Sequence, residues 1–435
     1  MRIGLIAMSG IRCCDGELLE LGLTLPGFVE RSKTIASLPS LGLLTLAGMT
    51  GPEHEVAYVE VPDLRDLPAL PAGFDLVAIS SYSAQIAEAY ELADRYRAAG
   101  VPVALGGPHV TALPDEAGEH ADAVVAGEGE AVWPELLADA EAGTLKPLYR
   151  SADGGFDLAD APMPAVELLD VDRYNRLLVQ TSRGCPHRCE FCAASVLIAD
   201  AYKQKPAAKV LAEIDRIAEI WPRPFIEFAD DNSFVNKDYW KDLLPALAGK
   251  HLKWFAETDL SVAEDGDLLD LMRATGCAQV LIGLESPTAA PLDGLETRSN
   301  WKHHRWGDYA DAIRAIQSHG ITVNGCFILG LDGQGPEIFD QVFEFVKDSG
   351  LYEVQVTIQT AFPGTPLYER LKREGRILDD GAWNTCTLFD VNYRPSGMSA
   401  DELTAGFRDL VVRLYNEEFT AFRRNNFFRR LRKSD

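Results

Sequence analysis

Short apolar runs alternate with stretches of helical periodicity along most of this chain. In the first 150 residues the runs fall at Ile3–Met8, Glu55–Val61, Leu76–Ser80, Val101–Leu105 and Ala123–Ala126, lengths that suit buried strands. The 3.6-residue repeats between them predict helices, clearest at Ala84–Arg97, which stops at Gly100, and at Glu130–Glu141. A second series follows, with runs at Leu177–Thr181, Phe225–Ala229, Trp254–Thr258, Val280–Leu284, Thr322–Leu329 and Glu353–Ile358. Its helices are predicted at Ala208–Trp221, Leu268–Thr275, Tyr309–His319 and Ile338–Ser349, the last three running into Gly276, Gly320 and Gly350.

Strands and helices in alternation predict parallel sheets wrapped by helices, an α/β architecture. Residues 1–150 read as a flavodoxin-like, doubly wound (Rossmann-type) domain, whose ligands sit at the carboxyl ends of the strands. Residues 151–176, broken by Asp153-Gly154-Gly155, Pro162 and Pro164, read as a linker. Residues 177–375 supply six units, too few for a closed barrel of eight, and predict a partial (β/α)6 barrel with its chemistry at the strand C-terminal ends. Residues 376–435 form an extension, irregular first and helical from about Ala400. On the sixth strand Glu353, Gln355, Thr357 and Gln359 alternate with Val354, Val356 and Ile358, so one face is polar. Turned inward, that face lines a lumen holding a polar ligand or water; turned outward, it marks an ordinary edge. The inward reading is adopted.

Composition narrows the function. A formal charge of −25 over 435 residues, with no basic stripe through the body, argues against a nucleic-acid partner. No signal peptide is expected after Arg2 and no run of 18 apolar residues could span a bilayer, so the expected location is cytoplasmic, where the 8 cysteines stay reduced. Basic character gathers in the tail, where Phe422, Phe427 and Phe428 mix with Arg423, Arg424, Arg429, Arg430, Arg432 and Lys433. Such a helix makes peripheral contact with an anionic membrane or docks on its own body, and the acidity of the chain favours docking.

The strongest chemical signal is Cys185-Pro186-His187-Arg188-Cys189-Glu190-Phe191-Cys192, three thiols at C-x3-C-x2-C spacing just after a strand. A tetrahedral zinc site wants a fourth Cys or His at finger-like spacing, and none follows. Three thiolates can hold a cubane 4Fe-4S cluster and leave one iron without a protein ligand. With Arg183-Gly184 before it, the motif resembles the cluster loop of the radical S-adenosylmethionine (radical SAM) superfamily. The resemblance implies that the open iron chelates S-adenosylmethionine, which is split to a 5′-deoxyadenosyl radical by an electron from a low-potential donor such as flavodoxin or ferredoxin.

It also implies a S-adenosylmethionine site. Phe191 would lie near the adenine, Asp230 or Asp231 near the amino group, Glu285-Ser286 toward the ribose, and Asn324-Gly325 on the adenine side. Gln355 joins them from the polar sixth strand. Phe191 has a plain reading as a core aromatic, and Asp230-Asp231 as helix caps.

In the first domain the strand-end loops are Ser80-Ser81-Tyr82, Gly106-Gly107-Pro108-His109 and Gly127-Glu128-Gly129-Glu130. Their glycines allow close backbone approach, but Glu128 and Glu130 repel a pyrophosphate and no G-x-G-x-x-G opens a helix. Cobalamin fits better, since corrin amides donate hydrogen bonds to carboxylates and carbonyls. The loops resemble those of the cobalamin-binding domain that precedes the cluster loop in one radical SAM class; the alternative is a sheet that only docks on the barrel. No Asp-x-His-x-x-Gly occurs, so cobalamin would bind base-off and His109 would hold loop geometry. The resemblance implies a cobalamin-dependent methyltransferase acting on an unactivated carbon of a small-molecule substrate. Alternatives are radical cyclisation or rearrangement without methyl transfer, and a non-catalytic cobalamin or redox-sensing module.

Overall fold

The computed structural model describes residues 1–21, 38–152, 154–194, 199 and 201–434. Its first sheet comprises β1 (Arg2–Met8), β2 (Glu55–Val61), β3 (Leu76–Ser80), β4 (Val103–Gly106), β5 (Ala123–Ala126) and β6 (Leu148–Arg150), in the order β2-β1-β3-β4-β5-β6. Every pairing is parallel, the flavodoxin-like winding with one extra edge strand. That strand escapes sequence reading because it is three residues long and only Tyr149 is buried. Both faces of β1 are covered: Ile3, Leu5 and Ala7 pack with Trp133 on one side, Ile6 and Met8 with the opposite layer, as a parallel sheet requires.

The segment expected as a linker is packed. It makes three single turns at Leu158–Asp160, Val166–Leu168 and Val171–Arg173, and Leu158, Val166 and Tyr174 are buried. Its glycines and prolines erase periodicity without preventing burial.

The second sheet begins with β7 (Leu177–Val179). Next come β8 (Ser182–Arg183) and β9 (Lys203–Gln204), a separate antiparallel ladder, followed by β10 (Phe225–Phe228), β11 (Lys253–Thr258), β12 (Cys277–Glu285), β13 (Thr322–Leu329) and β14 (Glu353–Ile358). The order β14-β13-β12-β11-β10-β7 is parallel throughout, and β14 and β7 stay apart as edges, so the barrel is an open arc. Val354, Val356 and Ile358 pack outward into the core beneath the helices. Glu353, Gln355 and Thr357 therefore face inward, and all six residues of β14 are buried.

The tail docks on the body. Helix Ala400–Tyr415 opens with a Ser399/Glu402 capping box, and Glu417–Ser434 follows. Arg423 is 1% exposed. Its Nη1 donates to Glu353 Oε1 at 2.9 Å and to the Tyr352 carbonyl at 3.0 Å, and Arg424 reaches Glu353 Oε2 at 3.1 Å. Phe419 and Phe427 are buried while Phe422 and Phe428 stay exposed. No helix among the described residues is long and apolar enough to cross a membrane.

Removing one partner of a buried ion pair costs about 3–5 kcal/mol when the other charge is left alone, and here the partly exposed Arg424 stays on Glu353. Arg423→Ala is therefore expected to lower unfolding free energy by less, about 1–3 kcal/mol in urea denaturation; a loss under about 0.5 kcal/mol would show that the tail is not docked.

Candidate functional site

The cluster loop is shaped by carboxylates. Asp230 accepts from Thr181 N, Thr181 Oγ1 and Ser182 N at 2.7, 2.6 and 2.8 Å, which ends β7 two residues before the apolar run does. Burial pushes Asp230 up to about 6 against those donors. Asp231 accepts from Gly184 N at 2.7 Å. Farther along, buried Glu296 accepts from Arg188, Arg298, Ser299 and Trp301 amides; burial opposes its ionisation, but the donors prevail and hold it at about 2. Arg370 grips Glu190 through two bonds, 2.6 and 3.0 Å. His187 Nε2 lies 3.1 Å from Asp259, which also receives Asn232 Nδ2 at 2.8 Å.

Cys189 is buried, with Cys185 and Cys192 half-buried. Burial pushes the Cys185 and Cys189 thiols up to about 11 and about 12; Lys302 pulls Cys189 the other way, and Cys192 pushes both up. A metal binding here must displace those protons. Among the described residues no three ligating side chains converge as one ion requires. A cubane takes each thiolate at its own corner, and Cys185, Cys189 and Cys192 are near enough to act on one another electrostatically, so the donor set fits a cluster.

The inward face of the barrel is polar. Asn324 Oδ1, Gln355 Oε1 and Gln279 Oε1 are buried with no hydrogen-bond partner among the described residues, the condition a ligand or water would relieve. Glu285, at φ 63°, receives buried Lys302 Nζ at 2.7 Å. Ser286 is fully buried against Thr288. Gly325 is open to a different reading: a Cβ there would meet Leu351 and Leu284 at 2.8 and 2.9 Å, so its missing side chain serves packing. Phe191 packs half-buried between two apolar clusters. Glu227 pairs with Arg176, whose Nη1 stays unpartnered. Burial first, then Glu227 and Asp231, pushes Glu257 up to about 8 against the pull of Arg176.

The carboxyl ends of both sheets open on one cavity of about 560 Å³. From the first sheet it is lined by Ser80, Ser81, Tyr82, Gly106, Gly107, Pro108, Gly127, Glu128, Gly129 and Glu130, and from the barrel by Leu178, Gln180, Arg183, Glu227 and Asp231. Gly107 (φ 110°) and Gly127 (φ 93°) are required here, since a Cβ would fall 2.7 Å from Ser81 O and 2.2 Å from Ser151 Oγ. His109 lies behind the loop, its ring 2.9 Å from Ser83 Oγ and 3.2 Å from Glu116 Oε1, a holder of loop geometry. Glu128 and Glu130, expected to face a corrin, line the cavity and also take the Arg183 guanidinium at 2.6 and 2.7 Å.

The thiols, the Asp230-Asp231 pair and the strand-end loops were legible in sequence. Glu227, Glu257, Arg176, Lys302 and Glu296 were not. A signal existed for the first two, acidic residues at alternate positions of apolar strands.

Family models match residues 179–346 as the radical SAM superfamily, 35–137 as a B12 binding domain and 365–435 as a domain of unknown function, DUF4070. The chain is 31% identical over 384 residues to the uncharacterized methyltransferase sll1242 of Synechocystis, covering 86% of this chain and 70% of that one. It is 29% identical over 393 residues to the hopanoid C-2 methylase of Rhodopseudomonas palustris, 88% and 72% respectively. The fold matches the radical S-adenosylmethionine methyltransferase TsrM of Kitasatospora setae, solved with cobalamin and a [4Fe-4S] cluster, at TM-score 0.71 and 16% identity over 100% of this chain and 99% of that one.

Glu257 supplies a pH test. Its carboxyl, pushed up to about 8 in the folded chain, lies above its ordinary value of 4.5, so the folded chain holds a proton that the unfolded chain releases and wild-type stability falls as pH rises across that window. Glu257→Gln, which cannot ionise, should gain stability over wild type progressively from pH 5 to 8 in urea titrations and level off above. A gap independent of pH would refute the burial of this carboxyl.

Proposed function

The chain belongs to the radical S-adenosylmethionine superfamily, in the branch with a B12-binding domain, and from that membership we propose a cobalamin-dependent methyltransferase acting on an unactivated carbon of a small molecule. The observation that carries the proposal is the single cavity onto which the strand ends of both sheets open. A substrate held there would be within reach of a cofactor on either side.

In this reading residues 1–150 hold cobalamin, residues 177–375 hold the cluster and S-adenosylmethionine, and residues 376–435 clasp both. Cys185, Cys189 and Cys192 would hold the 4Fe-4S cluster, leaving one iron for S-adenosylmethionine. When bound, these groups supply a 5′-deoxyadenosyl radical and a transferable methyl. The chain's own part is placement. Asn324 and Gln355 offer unpartnered carbonyl oxygens inside the barrel, suited to the amino groups of S-adenosylmethionine. Lys302 holds Glu285 in one orientation, and Glu227 and Tyr82 offer the substrate polar groups across the cavity. Ile11, Leu38, Pro39 and Leu178 add an apolar part to the same lining. His109, engaged by Ser83 and Glu116, is not free to ligate cobalt, which fits base-off binding. Electrons would come from a low-potential donor.

Cyclases also occur among the relatives, as anaerobic magnesium-protoporphyrin IX monomethyl ester cyclases, which keeps cyclisation without methyl transfer as the second reading. Product analysis with methyl-deuterated S-adenosylmethionine separates the two. Methyl transfer should place the label in the product, with about one 5′-deoxyadenosine and one S-adenosylhomocysteine per turnover apart from abortive cleavage. An unlabelled product and no S-adenosylhomocysteine would select cyclisation. Cys189→Ala tests the cluster itself: iron and sulfide retention and 5′-deoxyadenosine formation should be lost while circular dichroism is unchanged. Wild-type iron in that variant would overturn the assignment.

A further inference from the structure

The contact that joins the two sheets is a buried ion cluster, and its composition gives it a task. Arg183 Nη1 donates to Glu128 Oε1 at 2.6 Å, and Nη2 to Glu130 Oε1 at 2.7 Å and Gln180 Oε1 at 3.0 Å. The other oxygen of Glu128 takes Lys203 Nζ at 2.7 Å and the Phe156 amide at 2.5 Å. Side-chain exposures are 13% for Arg183, 2% for Glu128 and 9% for Glu130. Arg183 and Lys203 are also backbone partners, as the paired residues of β8 and β9. Two cations and two carboxylates balance.

Burying such a cluster is costly, and apolar packing would hold two domains together at least as well. What ions provide and apolar side chains do not is one register. The arginine fork fixes the direction of both carboxylates at once, and they leave from alternate residues of a single turn, Gly127 to Glu130. On the other side the register continues without slack. Gly184, next in the chain, is pegged by its amide to Asp231, and Cys185 follows immediately, within 3.9 Å of Asn232 Nδ2. Glu128 has no oxygen left unbonded for a ligand.

We propose that Arg183, clasped by Glu128 and Glu130 and backed by Lys203, is a positioning residue that holds the Gly127–Glu130 loop at a fixed distance from the cluster loop. The inference rests on the cofactor reading above only for what each loop carries; the latch itself belongs to this chain's residues. It makes the two loops one mechanical unit, so loosening either end loosens the other.

Reciprocity is the test. Arg183→Lys keeps the charge but loses the fork, and Glu130→Gln weakens the opposite side by replacing a charged acceptor with a neutral one. In amide hydrogen exchange on the full chain, Arg183→Lys should speed exchange across residues 127–130 by at least about tenfold. Glu130→Gln should do the same across residues 184–192, with β13 unaffected in both. Should Arg183→Lys fail to fold, Glu130→Gln and Lys203→Met carry the same comparison. On the reconstituted protein, dipolar electron paramagnetic resonance between the reduced cluster and cob(II)alamin should show one narrow spacing in wild type and a broadened one in each variant. Exchange confined to the mutated side, or an unchanged spacing, would overturn the latch. Reciprocal exchange in a chain that binds no cobalamin would leave the latch standing and sink the cofactor reading instead.

Discussion

The segment from Thr181 to Cys192 keeps its shape because carboxylates accept several amide hydrogens that its short β8 ladder leaves free. Asp230 collects three donors at the end of β7, Asp231 takes Gly184, and Glu296 takes Arg188 from the far side. Each buried amide left unbonded would cost about 1–3 kcal/mol, so the loop could not hold this form on apolar packing alone. The same device recurs where the extension meets the N-terminus: Asp390 accepts from the Cys14 and Asp15 amides at 2.9 and 3.0 Å. Part of the negative charge of this chain is thus structural, buried and hydrogen-bonded.

That device also explains where sequence reading stopped. The strands were legible because each is a local apolar run, and β2, β3, β5, β13 and β14 begin and end at the residues the pattern indicates. The thiols were legible because their spacing is local. Glu296 and Arg188 are 108 positions apart, Glu190 and Arg370 180, and Asp390 and Cys14 376, and no periodicity links such pairs. The partner of Glu128 and Glu130 was hidden for the same reason. Their place in a strand-end loop is visible in the sequence, but the guanidinium that occupies them comes from residue 183.

The face of β14 was legible through strict alternation, and its meaning follows from the sheet it joins. A closed barrel of eight fills its interior with branched apolar side chains. Here the arc stops at six strands, and the interior carries Asn324, Gln355, Gln279, Glu285 and Lys302, all buried. The three amides each present an oxygen with no hydrogen-bond partner among the described residues. A core built only for stability would not tolerate them, since apolar residues of the same volume would fill the space without loss.

The unsatisfied interior and the satisfied loop are two halves of one arrangement. The barrel leaves polar atoms open where a ligand can complete them, and spends its carboxylates on fixing the rim from which that ligand would be held. Glu257 stands between the two regimes. Burial and the neighbouring Glu227, Asp231 and Asp230 push its carboxyl up to about 8, with Arg176 pulling the other way. A protonated carboxyl donates a hydrogen bond that an ionised one cannot. Glu227 lines the cavity and, with Asp231 and Asp230, raises the cost of ionising Glu257, so the acids grouped at this end of the barrel help to keep one of their number able to donate.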